Sequence, residues 1–256
     1  MTPPARFNVL GTGVHALSLD DACARVLACR TQPPQGYVGC ATAYNLNAAR
    51  SDPALRAAYN RALLTTPDGM PLVWLGRWHG HRHITRVYGP DLLLAVCDAG
   101  RAVGLKHFFY GGKPGVAEQL RTQLTARFPG LSGVGTFTPP FRPLNATEFA
   151  ELQTEIARAR PDVIWVGLST PKQEQFMAEA WSKLDASVLI GVGAAFDFHS
   201  GNLPQAPRWL QRGGLEWLFR FAHEPRRLWR RYLVHNPLFV LRSLAQLCGL
   251  CRYPLN

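Results

Sequence analysis

Short apolar runs recur along the chain, separated by longer stretches in which hydrophobic side chains return every three or four positions. Residues 37–41, 107–110, 163–167 and 188–193 are runs of the first kind, most of them closed by Gly or Thr. Such runs suit strands buried on both faces. Residues 17–29, 53–62, 89–99, 115–127, 146–159 and 172–184 carry the helical period. Strand followed by helix, repeated over this length, predicts an α/β domain whose mainly parallel, Rossmann-like sheet is flanked by helices. Ligands of such sheets bind beyond the carboxyl ends of the strands. The loops after the four runs are therefore where chemistry is expected.

The pattern changes beyond residue 201. Residues 207–247 read as helices rich in Trp, Phe, Leu and Arg, interrupted at Glu224-Pro225 and Asn236-Pro237. The expected division is an α/β ligand-binding domain over residues 1–205 and a C-terminal helical appendage over 206–256. Charge sharpens it. Of a net charge of +11, residues 206–256 carry +7, from nine arginines against Glu216 and Glu224. A basic, aromatic segment calls for an anionic partner: nucleotide, nucleic acid or phospholipid. The aromatics fall at helical spacing with leucines and match no RNA-binding module, so an anionic membrane surface is expected and nucleic acid is not. No run reaches the roughly 18 uncharged apolar residues of a membrane span. The opening Met-Thr-Pro-Pro-Ala-Arg leads straight into a strand-like Phe-Asn-Val-Leu, so no signal peptide and a cytoplasmic location are expected. The six cysteines lack zinc-ribbon spacing, and Cys248-x-x-Cys251 has no second pair; small, reduced, hydrophobic thiols are the expectation.

Five local motifs bear on chemistry. Thr66-Pro67-Asp68-Gly69-Met70 is a tight turn before an apolar helix, where Asp68 is expected as the N-cap. Arg86 stands before a Gly-Pro helix start, suited to an anion or a surface ion pair. The preceding His79, His81 and His83 alternate among arginines, which is poor ligand geometry, so surface histidines and no metal are expected. Phe108 to Gly115 runs strand, Gly-rich turn, lysine, helix; the amides of Gly111 and Gly112 with Lys113 suit a phosphate. The pattern is neither a Walker A loop nor a dinucleotide fingerprint. Lys172 and Gln173 follow Pro171 at another strand-to-helix junction. In Gly191 to Phe198, Gly193 lets the backbone approach a base or ribose, while Asp197 either binds ribose hydroxyls or caps a turn. Together these junctions compose a nucleotide-type cleft.

In order and spacing the motifs resemble the WecG/TagA/CpsF family of bacterial glycosyltransferases, from about residue 7 to residue 232. The residues that carry the resemblance are TPDGMPLVW from Thr66, RVYGPDL from Arg86, FFYGGKPGVAEQL from Phe108, PKQE from Pro171, GVGAAFDFHSG from Gly191 and GLEWLFRFAHEPRRLWRRY from Gly214. The resemblance implies transfer of a hexose or N-acetylhexosamine (N-acetylmannosamine, its uronate, or glucose) from a UDP-sugar. The acceptor it implies is a saccharide on polyprenyl diphosphate, in teichoic acid or exopolysaccharide synthesis, with inversion and with no metal or other cofactor. It further implies Asp68 as base, with Arg86 and Gln173 in the catalytic centre. Arg220, Arg227 and Arg230 would hold the acceptor diphosphate and attach the protein peripherally to the inner face of the plasma membrane. One departure stands out. Where the family often shows Thr-x-Asn, this chain has Cys40-Ala41-Thr42. Thr42, with Asn45 and Asn47 beyond it, is then expected to make the polar substrate contacts. A homo-oligomer is left open.

An inverting transfer needs a base for the acceptor hydroxyl, typically worth about 10²–10⁴-fold. It also needs positive groups for the departing diphosphate. The Gly111-Gly112 amides, Lys113, Lys172 and Arg86 all qualify. The competing reading is a nucleotide- or RNA-binding protein without transferase activity, which turnover of UDP-sugars would separate.

Overall fold

Leu10 and Gly11 both take positive φ, 51° and 86°, and turn the chain back on itself. They join β1 (Arg6–Val9) to β2 (Thr12–His15) in an antiparallel hairpin. The computed structural model describes residues 2–31 and 36–255, so Met1 of the expected start and Asn256 of the expected appendage lie outside it. Ser18 then caps α1 (Leu19–Ala28) in a reciprocal capping box with Asp21, which starts the helix two residues later than its apolar period predicts.

The main sheet follows: β3 (Gly36–Ala41), α2 (Ala43–Ala49), α3 (Pro53–Arg61), β4 (Leu64–Pro67), α4 (Met70–Trp78), α5 (Gly89–Gly100), β5 (Lys106–Gly111), α6 (Val116–Arg127), β6 (Ser132–Phe137), α7 (Ala146–Ala159), β7 (Val163–Gly167), α8 (Lys172–Ala180), β8 (Val188–Gly191) and α9 (Ala195–His199). Six strands pair in parallel in the order β4-β3-β8-β7-β5-β6. The expected parallel α/β sheet is what forms. Alternation along each strand divides the core in two. Val38, Phe109, Trp165 and Ile190 face the layer of α1, α5 and α6, while Tyr37, Phe108, Ile164 and Leu189 face α7 and α8. With both faces covered, the central strands read as unbroken apolar runs. From β5 the chain turns outward to β6, and from β7 it turns the other way to β8. The connections beyond the carboxyl ends of β5 and β7 therefore leave to opposite faces of the sheet, α6 to one and α8 to the other, at a topological switch point.

Beyond α9 come α10 (Arg208–Arg212), α11 (Glu216–His223), α12 (Pro225–Trp229), a π-helical turn (Arg230–His235) and α13 (Asn236–Leu247). The expected C-terminal helices are present, and they pack on the body. Phe239 of α13 is buried among Phe7, Val9, Leu10, Leu46 and Leu72, a third core cluster under the hairpin. Gln246 accepts from the Leu10 amide at 2.9 Å and donates to the Asn8 carbonyl at 3.1 Å. Among the described residues no helix is long and apolar enough to cross a membrane. Cys23, Cys29, Cys40 and Cys97 are buried free thiols; Cys248 and Cys251 are free but exposed, so core packing does not account for that pair.

Candidate active site

A single cleft of about 2100 Å³ opens above the carboxyl ends of β3, β5, β7 and β8 and beneath the C-terminal helices. It gathers Asp68, Arg86, Gln173, Thr42, Asn45, Gly112, Lys113, Lys172, Gly193 and Asp197 from the body, with Arg220, Arg227 and Arg230 from the appendage. Asn47 and Gly111 do not line it. Asn47 is buried in the joint between α2 and the appendage, where it pairs with His235 Nδ1 at 3.2 Å and accepts from Arg242. Gly111 packs against β7: a Cβ there would stand 2.6 Å from the Gly167 carbonyl oxygen.

Asp68 does not cap α4. Gly69, with no side chain to bond, is the N-cap, and the Asp68 amide still donates to the Ala41 carbonyl of β3 at 2.9 Å. The cap at Gly69 frees the carboxylate. It accepts from the Gly89 amide at 3.4 Å and lies 3.7 Å from Arg86 Nη2, with 13% of the side chain exposed. Arg86 is no surface ion pair. Its Nε donates to the Asp68 carbonyl at 2.8 Å, and its Nη2 meets Glu216 at 2.6 Å. Tyr88 donates to the other Glu216 oxygen at 2.7 Å, and the guanidinium stacks 3.9 Å above the Tyr88 ring. Burial pushes the Asp68 carboxyl up to about 7; Arg86 opposes the rise, Glu216 adds to it, and the Gly89 amide and Arg231 oppose it further. A carboxylate held there is a base matched to neutral pH.

A second polar chain runs under the cleft floor. Thr42 donates to Asn45 at 2.9 Å, Asn45 to the Tyr59 hydroxyl at 2.7 Å, and Tyr59 to Glu174 at 2.9 Å. Thr170 also donates to Glu174, at 3.1 Å, and Gln173 accepts from the Gly193 amide at 2.9 Å. Gly191 makes room for this: a Cβ there would meet Gln173 Nε2 at 2.5 Å. Burial raises the Glu174 carboxyl, against hydrogen bonds from Tyr59, its own backbone, Thr170 and Gln173. Thr42 and Asn45 are thus tied to the Gln173 loop across the sheet.

The sequence of this chain fits the model of the Glycosyl transferase WecG/TagA/CpsF family over residues 7–252. The chain belongs to the WecG/TagA/CpsF family. It is a glycosyltransferase. Two curated relatives, from Bacillus subtilis strain 168 and Bacillus spizizenii strain W23, are each called N-acetylglucosaminyldiphosphoundecaprenol N-acetyl-beta-D-mannosaminyltransferase. The first is 30% identical over 180 residues, 70% of this chain and 68% of the relative. The second is 30% identical over 185 residues, 72% of this chain and 70% of the relative.

In the glycosyltransferase cleft the phosphate-binding expectation is modified. The Gly112 amide is already engaged, donating to the Gly167 carbonyl at 3.0 Å, so Lys113 is the group of that turn left facing the opening. Asp197 caps nothing, since Ala194 is the N-cap of α9; the carboxyl is half-buried and raised by desolvation, against Lys113 and Arg227. Lys172 lies 4.4 Å from the Phe141 ring at the rim. Arg227 pairs with Glu224 at 2.9 Å, Arg220 reaches over Phe198, and Arg230 lies over Trp229. Among the polar residues of the cleft, Tyr88 and Glu216 were given no role from the sequence, and Arg231 was read only as part of the basic appendage. Arg231, on the π-helical turn, donates to Thr42 at 3.4 Å and lies over Tyr44. A paired acid inside a basic tail was the only signal for Glu216, and it did not point to Arg86. His79 and His81 pack around Phe7, and His83 pairs with the Ala16 carbonyl, as surface side chains do.

Proposed function

We propose that this glycosyltransferase moves an N-acetylmannosamine-type sugar from a UDP-sugar to a saccharide on polyprenyl diphosphate, with inversion and without a metal. The observation that carries the proposal is Asp68: a carboxylate buried at the cleft centre, raised to about 7, and held by Arg86 and the Gly89 amide. Asp68 takes the proton of the acceptor hydroxyl as that oxygen attacks the anomeric carbon. The bond from that carbon to the β-phosphate oxygen breaks, and its electron pair leaves on UDP. Lys113 and Lys172 balance the charge that develops on the departing diphosphate. Gln173, fixed by Gly193, and the Thr42–Asn45 pair orient the sugars, and Asp197 holds the ribose. Residues 1–205 hold the nucleotide sugar. Residues 206–256 bring Arg220, Arg227 and Arg230 to the acceptor diphosphate and hold the protein on the inner, anionic face of the plasma membrane. The names of the two relatives support the acceptor and the sugar. The test is transfer from UDP-N-acetylmannosamine to a short-chain, soluble N-acetylglucosaminyl diphosphate lipid, with the linkage of the product read by NMR. A β-linked disaccharide is expected. UDP-sugar hydrolysis alone, or no turnover with several UDP-sugars, would contradict the proposal.

A further inference from the structure

Five of the seven tryptophans are exposed, and all five fall between residues 74 and 78 or between 209 and 229. Trp74 and Trp78 stand one turn apart on α4, 53% and 75% exposed, and Trp209 on α10 is 70% exposed. Indoles ordinarily bury most of their ring, and a cluster left in the open marks a surface that something covers. The two stretches meet. A Cβ on Gly214 would lie 3.3 Å from the Trp74 ring, so α4 abuts the turn between α10 and α11. Trp74, Leu215 and Trp217 also line the mouth of the cleft. Along α4 and the loop after it the charge has one sign, while beside Trp209 Arg208 pairs with Asp91 at 2.8 Å. Residues 70–83 contain Arg77, Arg82 and three histidines but no acid, and both arginines are exposed. A ring with an apolar body and a polar N–H, flanked by guanidiniums, matches the headgroup level of an anionic bilayer.

We infer that α4 of the body, together with α10 of the basic appendage, forms a lipid-contacting face which sets the mouth of the cleft against the headgroups of an anionic bilayer. The inference rests on the lipid-linked acceptor proposed above: an acceptor whose anchor stays in the bilayer reaches Asp68 only if the mouth lies at the surface. It adds that the catalytic body makes part of this contact through Trp78, and so fixes which way the cleft points.

The experiment uses the full chain with vesicles of phosphatidylglycerol and phosphatidylcholine, read by co-sedimentation, alongside gel filtration and turnover of the soluble acceptor. Trp78 and Trp209 lie outside the cleft lining. The double variant Trp78→Ser/Trp209→Ser is expected to bind vesicles about tenfold more weakly, with unchanged melting temperature and soluble-acceptor turnover. Arg77→Glu/Arg82→Glu is expected to lose binding at low salt in the same way. Equal vesicle binding by wild type and both variants overturns the inference while leaving the appendage as an anchor. Loss of an oligomer in the Trp variant with vesicle binding intact also overturns it, giving the face to a second copy. If wild type binds no vesicles at all, the membrane reading and this inference fall together, whereas absent turnover of the soluble acceptor strikes the transferase proposal alone.

Discussion

Asp68 must be anionic to take a proton, yet it stands where charge is disfavoured. Its carboxyl titrates near 7 because desolvation outweighs the help of Arg86, and because Glu216 competes for that arginine and repels the aspartate. The sign for activity follows directly. Below the midpoint Asp68 is protonated and inert as a base; above it the carboxylate is available. The kcat/KM for the soluble acceptor is therefore expected to rise with pH through about 7. Glu216→Gln keeps the bond from Tyr88 but removes the repulsion and releases Arg86 toward Asp68, so the midpoint should move to lower pH. A midpoint unmoved in that variant, or a profile flat across neutrality, would show that Asp68 is not the titrating base. The Asp-Gly turn is a local pattern, but by itself it pointed to a cap, and Gly69 holds that place; only the family resemblance pointed to Asp68 as a base. Glu216 was not visible in the sequence, because the Arg86–Glu216 contact joins a strand-end loop to a helix in the distant appendage.

At the scale of elements, what was legible was whatever is apolar and local. β3, β5, β7 and β8 were read from their hydrophobic runs, and α7 from its helical period; its observed bounds match, with the start fixed by a capping box of Asn145 and Glu148. β4 and β6 were not read. β4 is Leu-Thr-Thr-Pro, with Thr65 buried and bonded to the Tyr59 carbonyl at 2.6 Å, and edge strand β6 is half-exposed with two glycines. Neither has the apolar run of a doubly covered strand. The appendage was foreseen as helices; its docking was not, because it depends on contacts between residues far apart in the chain, among them Phe239 meeting a cluster assembled from six other elements. Phe239 is 2% exposed in that cluster. Phe239→Ala is expected to cost about 3–5 kcal/mol in urea unfolding and to do so in one transition shared by body and appendage. A separate early transition of the C-terminal helices would show instead that they dock without contributing to the core.

For the whole molecule, the cleft lies between a body that carries Asp68 and a cover of helices that carries arginines, and the two are joined through Arg86 and Glu216. Lysines and arginines, Lys113, Lys172, Arg220, Arg227 and Arg230 among them, ring the opening. On the transfer proposed above, the diphosphate falls to these cations and the proton to Asp68. The most direct measurement is turnover of UDP-N-acetylmannosamine and soluble acceptor by wild type and Asp68→Asn, side by side in EDTA, with UDP affinity measured for both. The predicted result is undiminished wild-type turnover, a loss of about 10²-fold or more in the variant, and near-equal UDP binding. Wild-type activity abolished by EDTA and restored by Mg²⁺, or a variant that keeps more than about a tenth of wild-type kcat, would contradict it.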